Sequence, residues 1–178
     1  MEKQRTLASS ASLDGTALHT GEKVSLTIHP APPNHGYKFQ RSDLPDQPIV
    51  EARVEHVKTV ERSTTLVEGA VKLHTVEHVL SALAGMEVDN ALITMNAKEP
   101  PILDGSALPF LAALQQAGVV SRSGAPDWLI LRKTIRVVDG DIRKPDNVRD
   151  SLRDVDMVVH AAAALPLYKP EDIYSTDI

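Results

Sequence analysis

Between residues 24 and 96 the hydrophobic period changes from two to 3.6 and back. Any fold of this chain must therefore hold strands and helices together. Val24-Ser25-Leu26-Thr27-Ile28-His29 places an apolar side chain at alternate positions, as a strand with one buried face does. From Thr75 the apolar residues are Val76, Val79, Leu80, Leu83 and Ala84, the stripe of an amphipathic helix. Thr75 is expected to cap this helix and Gly85 to end it. Asn90 to Asn96 then reads as a strand again.

Turn residues divide the remainder. Pro30, Pro32 and Pro33 should stop the first strand, because proline cannot donate to a sheet ladder. Tyr37 to Arg41 is expected to be the next strand, with Ser42-Asp43-Leu44-Pro45 as the turn after it. Pro100 and Pro101 break the chain, and Asp104-Gly105 supplies a turn. Ser106 can cap a second helix over 107–117, with Pro109 in its first turn and Gly118 at its close. Ser121 to Asp127 has the composition of a linker. Beyond it, Leu129 to Val138 reads as strand, Asp139-Gly140-Asp141 as a turn, Asn147 to Leu152 as a short helix and Met157 to Val159 as a buried strand.

The 178 residues suit one ordinary domain or two small ones. Hydrophobic residues make up 42% and aromatics only 3%, so the core must rest on Val, Ile, Leu and Ala. A net charge of −5 argues against nonspecific nucleic-acid binding, which needs a basic face to displace counterions. With no cysteine, any metal must be held by His and carboxylates. Met1 to Leu13 lacks the apolar run of a signal peptide. No transmembrane segment is expected, since no stretch approaches the roughly 20 apolar residues that span a bilayer. The expectation is a soluble, cytoplasmic protein.

The residues best suited to chemistry are His74-Thr75-Val76-Glu77-His78. A Glu beside a His at a helix start sets a base next to an imidazole that can bind zinc, and zinc lowers the pKa of bound water to about 7. A carboxylate in reach can take the proton as water attacks a carbonyl. The bland alternative is a helix cap and a solvated face. The stretch also matches the His-x-x-Glu-His order of inverted zinc proteases. That alternative needs the helix to begin before His74, so that His74 and His78 share a face, and it needs a third ligand downstream.

Six blocks in order widen the context. They are Gln4-Arg5-Thr6-Leu7 through Leu18-His19-Thr20-Gly21, Val24 to Pro33, Arg41 to Pro45, Thr75 to Gly85, Asp89 to Ile93, and Pro101 to Ala107. Together they resemble the UDP-3-O-acyl-N-acetylglucosamine deacetylase family over residues 1 to about 141. The resemblance implies a zinc-dependent amide hydrolase of lipid A biosynthesis, acting on a UDP-linked acyl-glucosamine. It implies an α+β fold, of which this chain holds the first of two layers. It implies Glu77 as general base and His78 as a zinc ligand. Ser63, Thr64 and Thr65 would lie on a strand near the site, and His19 on a loop near it. Asp104-Gly105-Ser106 fits a turn and helix cap better than a catalytic group.

The family's second layer carries a His-Lys-x-x-Asp motif with two more zinc ligands, and a further catalytic His. Residues 122–178 hold one histidine, His160, followed by four alanines, so the zinc site is expected to be incomplete. From Gly140 the sequence changes character. Gly140 to Val148 and Val155 to Ala163 resemble a fragment of an NAD-dependent epimerase/dehydratase of the extended short-chain dehydrogenase type. Its Gly-rich pyrophosphate loop and Tyr-x-x-x-Lys pair are absent, so no NAD is expected. The expected organisation is a deacetylase-like domain over 1–121, linker and opening strands over 122–141, and a dehydrogenase-like α/β fragment over 142–178. Such a join should leave an apolar face uncovered and favour self-association. It leaves two functional readings: a deacetylase inactive as this chain alone, or a non-catalytic remnant with no metal site.

Overall fold

A computed structural model describes residues 3–59, 63–125 and Arg149. The chain divides into two compact units, Met1–Trp128 and Leu129–Ile178. The strands expected over 129–138 and 157–159, the helix over 147–152, His160 and the dehydrogenase-like fragment lie outside the described residues, apart from Arg149.

The first unit is α+β. Its strands are β1 (Arg5–Leu7), β2 (Ala11–Thr16), β3 (Lys23–Pro30), β4 (Tyr37–Arg41), β5 (Ile49–Glu51), β6 (Val57–Thr59), β7 (Thr65–Glu68), β8 (Val71–Leu73), β9 (Ala91–Met95) and β10 (Val119–Ser121). The helices are α1 (Glu77–Gly85) and α2 (Leu108–Ala117), with a 3-10 turn at Val54–His56. Among the described residues no helix is long and apolar enough to cross a membrane.

The central sheet has the order β2-β3-β9-β4-β5. All its pairs are antiparallel except β4 with β9, where Phe39 sits opposite Ile93 and Arg41 opposite Met95. One face is apolar: Val24, Leu26, Ile28, Phe39, Val50, Ile93 and Met95 are all buried. The period-two pattern thus does what an antiparallel sheet with one wet face requires. Val79, Ala82 and Leu83 of α1 and Phe110, Leu114 and Ala117 of α2 belong to the same core, and α2 packs on both α1 and β2. The core is aliphatic, as composition demands, yet both phenylalanines sit in it fully enclosed. A small β1–β10 sheet joins the start of the unit to its end, and β6-β7-β8 forms a separate meander.

The expected strands over 24–29 and 37–41 are β3 and β4, and β3 does end at Pro30. Gly85 is the last residue of α1, but the left-handed residue that closes the helix is Glu87, at φ 53°. The Glu87 N–H donates to the Ala84 carbonyl and the Val88 N–H to that of Leu83, each at 3.0 Å. This is the Schellman closure, and the accompanying apolar contact position falls on buried Val88 and Leu83. Glu87 also forms an ion pair with Arg5.

Tyr37 closes the corner beside this turn, its hydroxyl donating to the Val88 carbonyl. Burial, and then the charge of Asp89, pushes the phenol up from 10.0 to about 12. A raised folded-state pKa means the unfolded chain loses the proton first. The stabilisation is therefore complete below pH 10 and lost as pH rises through about 12. Tyr37→Phe is expected to flatten the fall in urea midpoint between about pH 10 and 12. An unchanged slope in the variant would show that Tyr37 is not its source.

Candidate active site

Glu77 opens α1, where the positive end of the helix dipole favours a carboxylate. The Thr64 N–H donates to Glu77 Oε2 at 3.0 Å. Among the described residues Glu77 Oε1 accepts nothing, so one oxygen is held and the other is free. His78 follows on the first turn and is half-buried. Of the six described histidines, His29, His35, His56 and His74 each engage a ring nitrogen. The rings of His78 and His19 engage none among the described residues.

Thr75 does not cap α1. The residue before the helix is Val76, in right-handed conformation and without a side-chain cap. Thr75 has φ 55°, and its hydroxyl donates to Glu99 Oε1 at 2.7 Å. A buried acceptor elsewhere in the fold has taken the hydroxyl that the local pattern assigns to the helix start. Because α1 begins at Glu77, His74 lies outside it, and the shared helix face required by the inverted-protease order does not form. His74 instead donates its N–H to the Lys98 carbonyl at 2.9 Å and pairs its ring with the Thr65 hydroxyl at 3.0 Å. Burial holds its imidazole below the usual range, and the neighbouring Lys98, Lys72 and His19 add to that against the opposing charge of Glu99.

Ser63 and Thr64 are not on a strand. β7 begins at Thr65, and the two residues before it form the loop whose amide reaches Glu77. His19 lies on the exposed turn between β2 and β3, as a loop position should. Its N–H donates to both oxygens of Glu99, at 3.2 and 3.1 Å, and the Thr20 N–H adds a bond of 3.0 Å. Burial raises the Glu99 carboxyl, but these bonds and the Thr75 hydroxyl outweigh it and leave the group below the ordinary carboxylate range. Asp104 accepts from the N–H and hydroxyl of Ser106, which hold its carboxyl low; the charge of nearby His78 adds least. Ser106 Oγ in turn accepts the Leu108 N–H at 3.1 Å, but it does not cap α2: the helix starts at Leu108, and the residue before it is Ala107, in right-handed conformation and without a side-chain cap.

The structure therefore gathers His19, His74, Thr75 and Glu99 into one neighbourhood, bonds Thr64 to Glu77, and sets His78 near Asp104. Glu99 is the residue that the sequence did not point to. It lies in Asn96-Ala97-Lys98-Glu99-Pro100, a polar stretch beside a proline, yet it is fully buried. As to zinc, His78 is a chemically suitable donor whose ring is not engaged by any described residue. Among the described residues, however, no three His, Asp or Glu side chains converge as a hydrolytic zinc site requires. The described donor set alone does not fit the metal.

Fold and site together define an α+β protein with, among the described residues, an unengaged imidazole and a half-engaged carboxylate at successive positions of a helix start. The sequence model of the UDP-3-O-acyl N-acetylglycosamine deacetylase (LpxC) family matches residues 4–149, passing the boundary near 141 where the resemblance in blocks stops. A UDP-3-O-acyl-N-acetylglucosamine deacetylase of Methylococcus capsulatus is 47% identical over 141 residues, covering 79% of this chain and 46% of that protein. The deacetylase of Myxococcus xanthus is 46% identical, over 78% of this chain and 44% of the relative. A bifunctional LpxC/FabZ enzyme of Chlorobaculum tepidum is 46% identical, over 74% and 28%. The chain belongs to the UDP-3-O-acyl N-acetylglycosamine deacetylase family. It spans about half the length, or less, of the curated relatives it matches.

Proposed function

We propose that residues 1 to about 141 of this chain carry the first layer of a zinc-dependent deacetylase acting on UDP-3-O-acyl-N-acetylglucosamine in lipid A biosynthesis, with Glu77 as general base and His78 as one metal donor. The observation that carries the reading is the pairing at the start of α1: among the described residues, neither the His78 ring nor Oε1 of the preceding Glu77 has a hydrogen-bond partner. The Thr64 amide holds the carboxylate in place through Oε2, leaving Oε1 to take a proton from an attacking water.

Little or no turnover is expected from this chain alone, because a hydrolytic zinc site needs three protein donors and the described residues do not assemble them. That same shortfall favours the second reading, a non-catalytic remnant that keeps the fold. The division into 1–121, 122–141 and 142–178, the dehydrogenase-like character of the last segment, the absence of an NAD site and a cytoplasmic location belong to the same proposal. So does self-association. Leu18, Val54 and Leu108 are apolar side chains already exposed on the first unit.

Elemental analysis after dialysis against a metal buffer, with deacetylation assayed alongside, separates the two readings. About one zinc per chain with deacetylation would support the enzyme. No retained zinc and no product would leave the remnant.

A further inference from the structure

We propose that Glu99 is a positioning residue for the Glu77–His78 pair, acting through Thr75. The inference rests on the reading of that pair as the reactive site, but its geometry stands independently. Glu99 is a fully buried carboxylate, and among the described residues no cation pairs with it. Burying an unpaired charge is costly unless hydrogen bonds replace the lost water. Here both oxygens are used: Oε1 by the Thr75 hydroxyl and the His19 N–H, Oε2 by the N–H groups of His19 and Thr20. A single carboxylate thus ties the β2–β3 turn to the residue two before Glu77.

What Thr75 does with that bond decides where α1 begins. A β-branched residue at φ 55° is in a conformation that L side chains rarely adopt, and such strain persists only where surrounding contacts over-determine it. At this position the chain turns from β8 into α1. The next two residues then meet Thr64: the Val76 N–H reaches its carbonyl at 3.5 Å and Glu77 Oε2 receives its N–H. Released from Glu99, Thr75 has an easier alternative, the ordinary N-cap that its sequence position suggests. Its hydroxyl would turn to the helix, the backbone would leave the left-handed region, and the Glu77–Thr64 bond would lose its register. Glu99 therefore selects one of two starts for α1, and the selected one holds Glu77 beside Thr64.

Amide hydrogen exchange followed by NMR tests this without zinc, substrate or turnover. A failed deacetylation assay would therefore leave the result intact, and a failed exchange result would leave the deacetylase reading intact. In Glu99→Ala the Thr64 amide is expected to exchange at least about 10-fold faster while amides of the central β3–β9 pair keep their protection. Thr75→Val, which exchanges the hydroxyl for a methyl and so breaks the bond to Glu99 without supplying a cap, should also speed exchange at Thr64, and Thr75→Ser should restore native exchange. If Glu99→Ala does not fold, the Thr75 pair decides. Unaltered Thr64 exchange in Thr75→Val, or a loss of protection spread evenly through β3 and β9, would overturn the proposal.

Discussion

Phe110→Ala is expected to destabilise the first unit by about 3–5 kcal/mol, the range for removing a fully enclosed aromatic ring from a core. Phe110 is 0% exposed on the inner face of α2, where that helix packs against α1 and β2. Apart from Phe39, the other buried core residues described carry no aromatic ring, so little bulk is at hand to fill the space. Much of the loss should therefore appear as an unrelaxed cavity. Native domains are stable by only about 5–15 kcal/mol, so the variant should unfold at far lower urea with a similar m-value. Leu108, on the same helix but 67% exposed, is the internal control. Its change to Ala should cost no more than about 0.5 kcal/mol. Equal effects at the two positions would mean that α2 does not bury the face described.

Glu77→Gln is expected to lower whatever deacetylation the protein supports by about 10²–10⁴-fold, the usual contribution of a general base. The substitution is chosen for what it retains. An amide oxygen can still accept the Thr64 N–H, so the start of α1 should be undisturbed and the urea midpoint nearly unchanged. What is lost is the basicity of Oε1, the oxygen that accepts nothing among the described residues. Loss of turnover with stability preserved places Glu77 in the chemistry. Turnover retained in the Gln variant removes it from the role of base.

Segments with a sustained period were legible in the sequence. The alternation over 24–29 became β3, the run 37–41 became β4, and the stripe from Val76 to Ala84 became α1 with its buried Val79 and Leu83. Gly118 closes α2 as its position suggested, with φ 73°. Three-residue strands such as β1, β5, β6, β8 and β10 are too short to display a period, and only their partners define them. The errors have two origins. Thr75 was assigned by local propensity, and its tertiary bond to Glu99 took precedence; Ser63 and Thr64 were placed on a strand by the family resemblance, and β7 starts only at Thr65, after the amide that serves Glu77. That the His78 ring is engaged by no described residue could be suspected from its neighbours, but the burial of Glu99 could not, because nothing within five residues of it marks a buried carboxylate.

The order of the central sheet also bears on how the chain comes off the ribosome. β2 with β3, and β4 with β5, are antiparallel neighbours that can pair as soon as they are made. The strand that belongs between them, β9, is made about 50 residues after β4. Until it arrives, β3 and β4 each present a bare edge, the kind of surface that invites pairing with another nascent chain. Translation through Met95 is therefore the point at which this sheet can first become continuous, and chaperone demand should be greatest just before it.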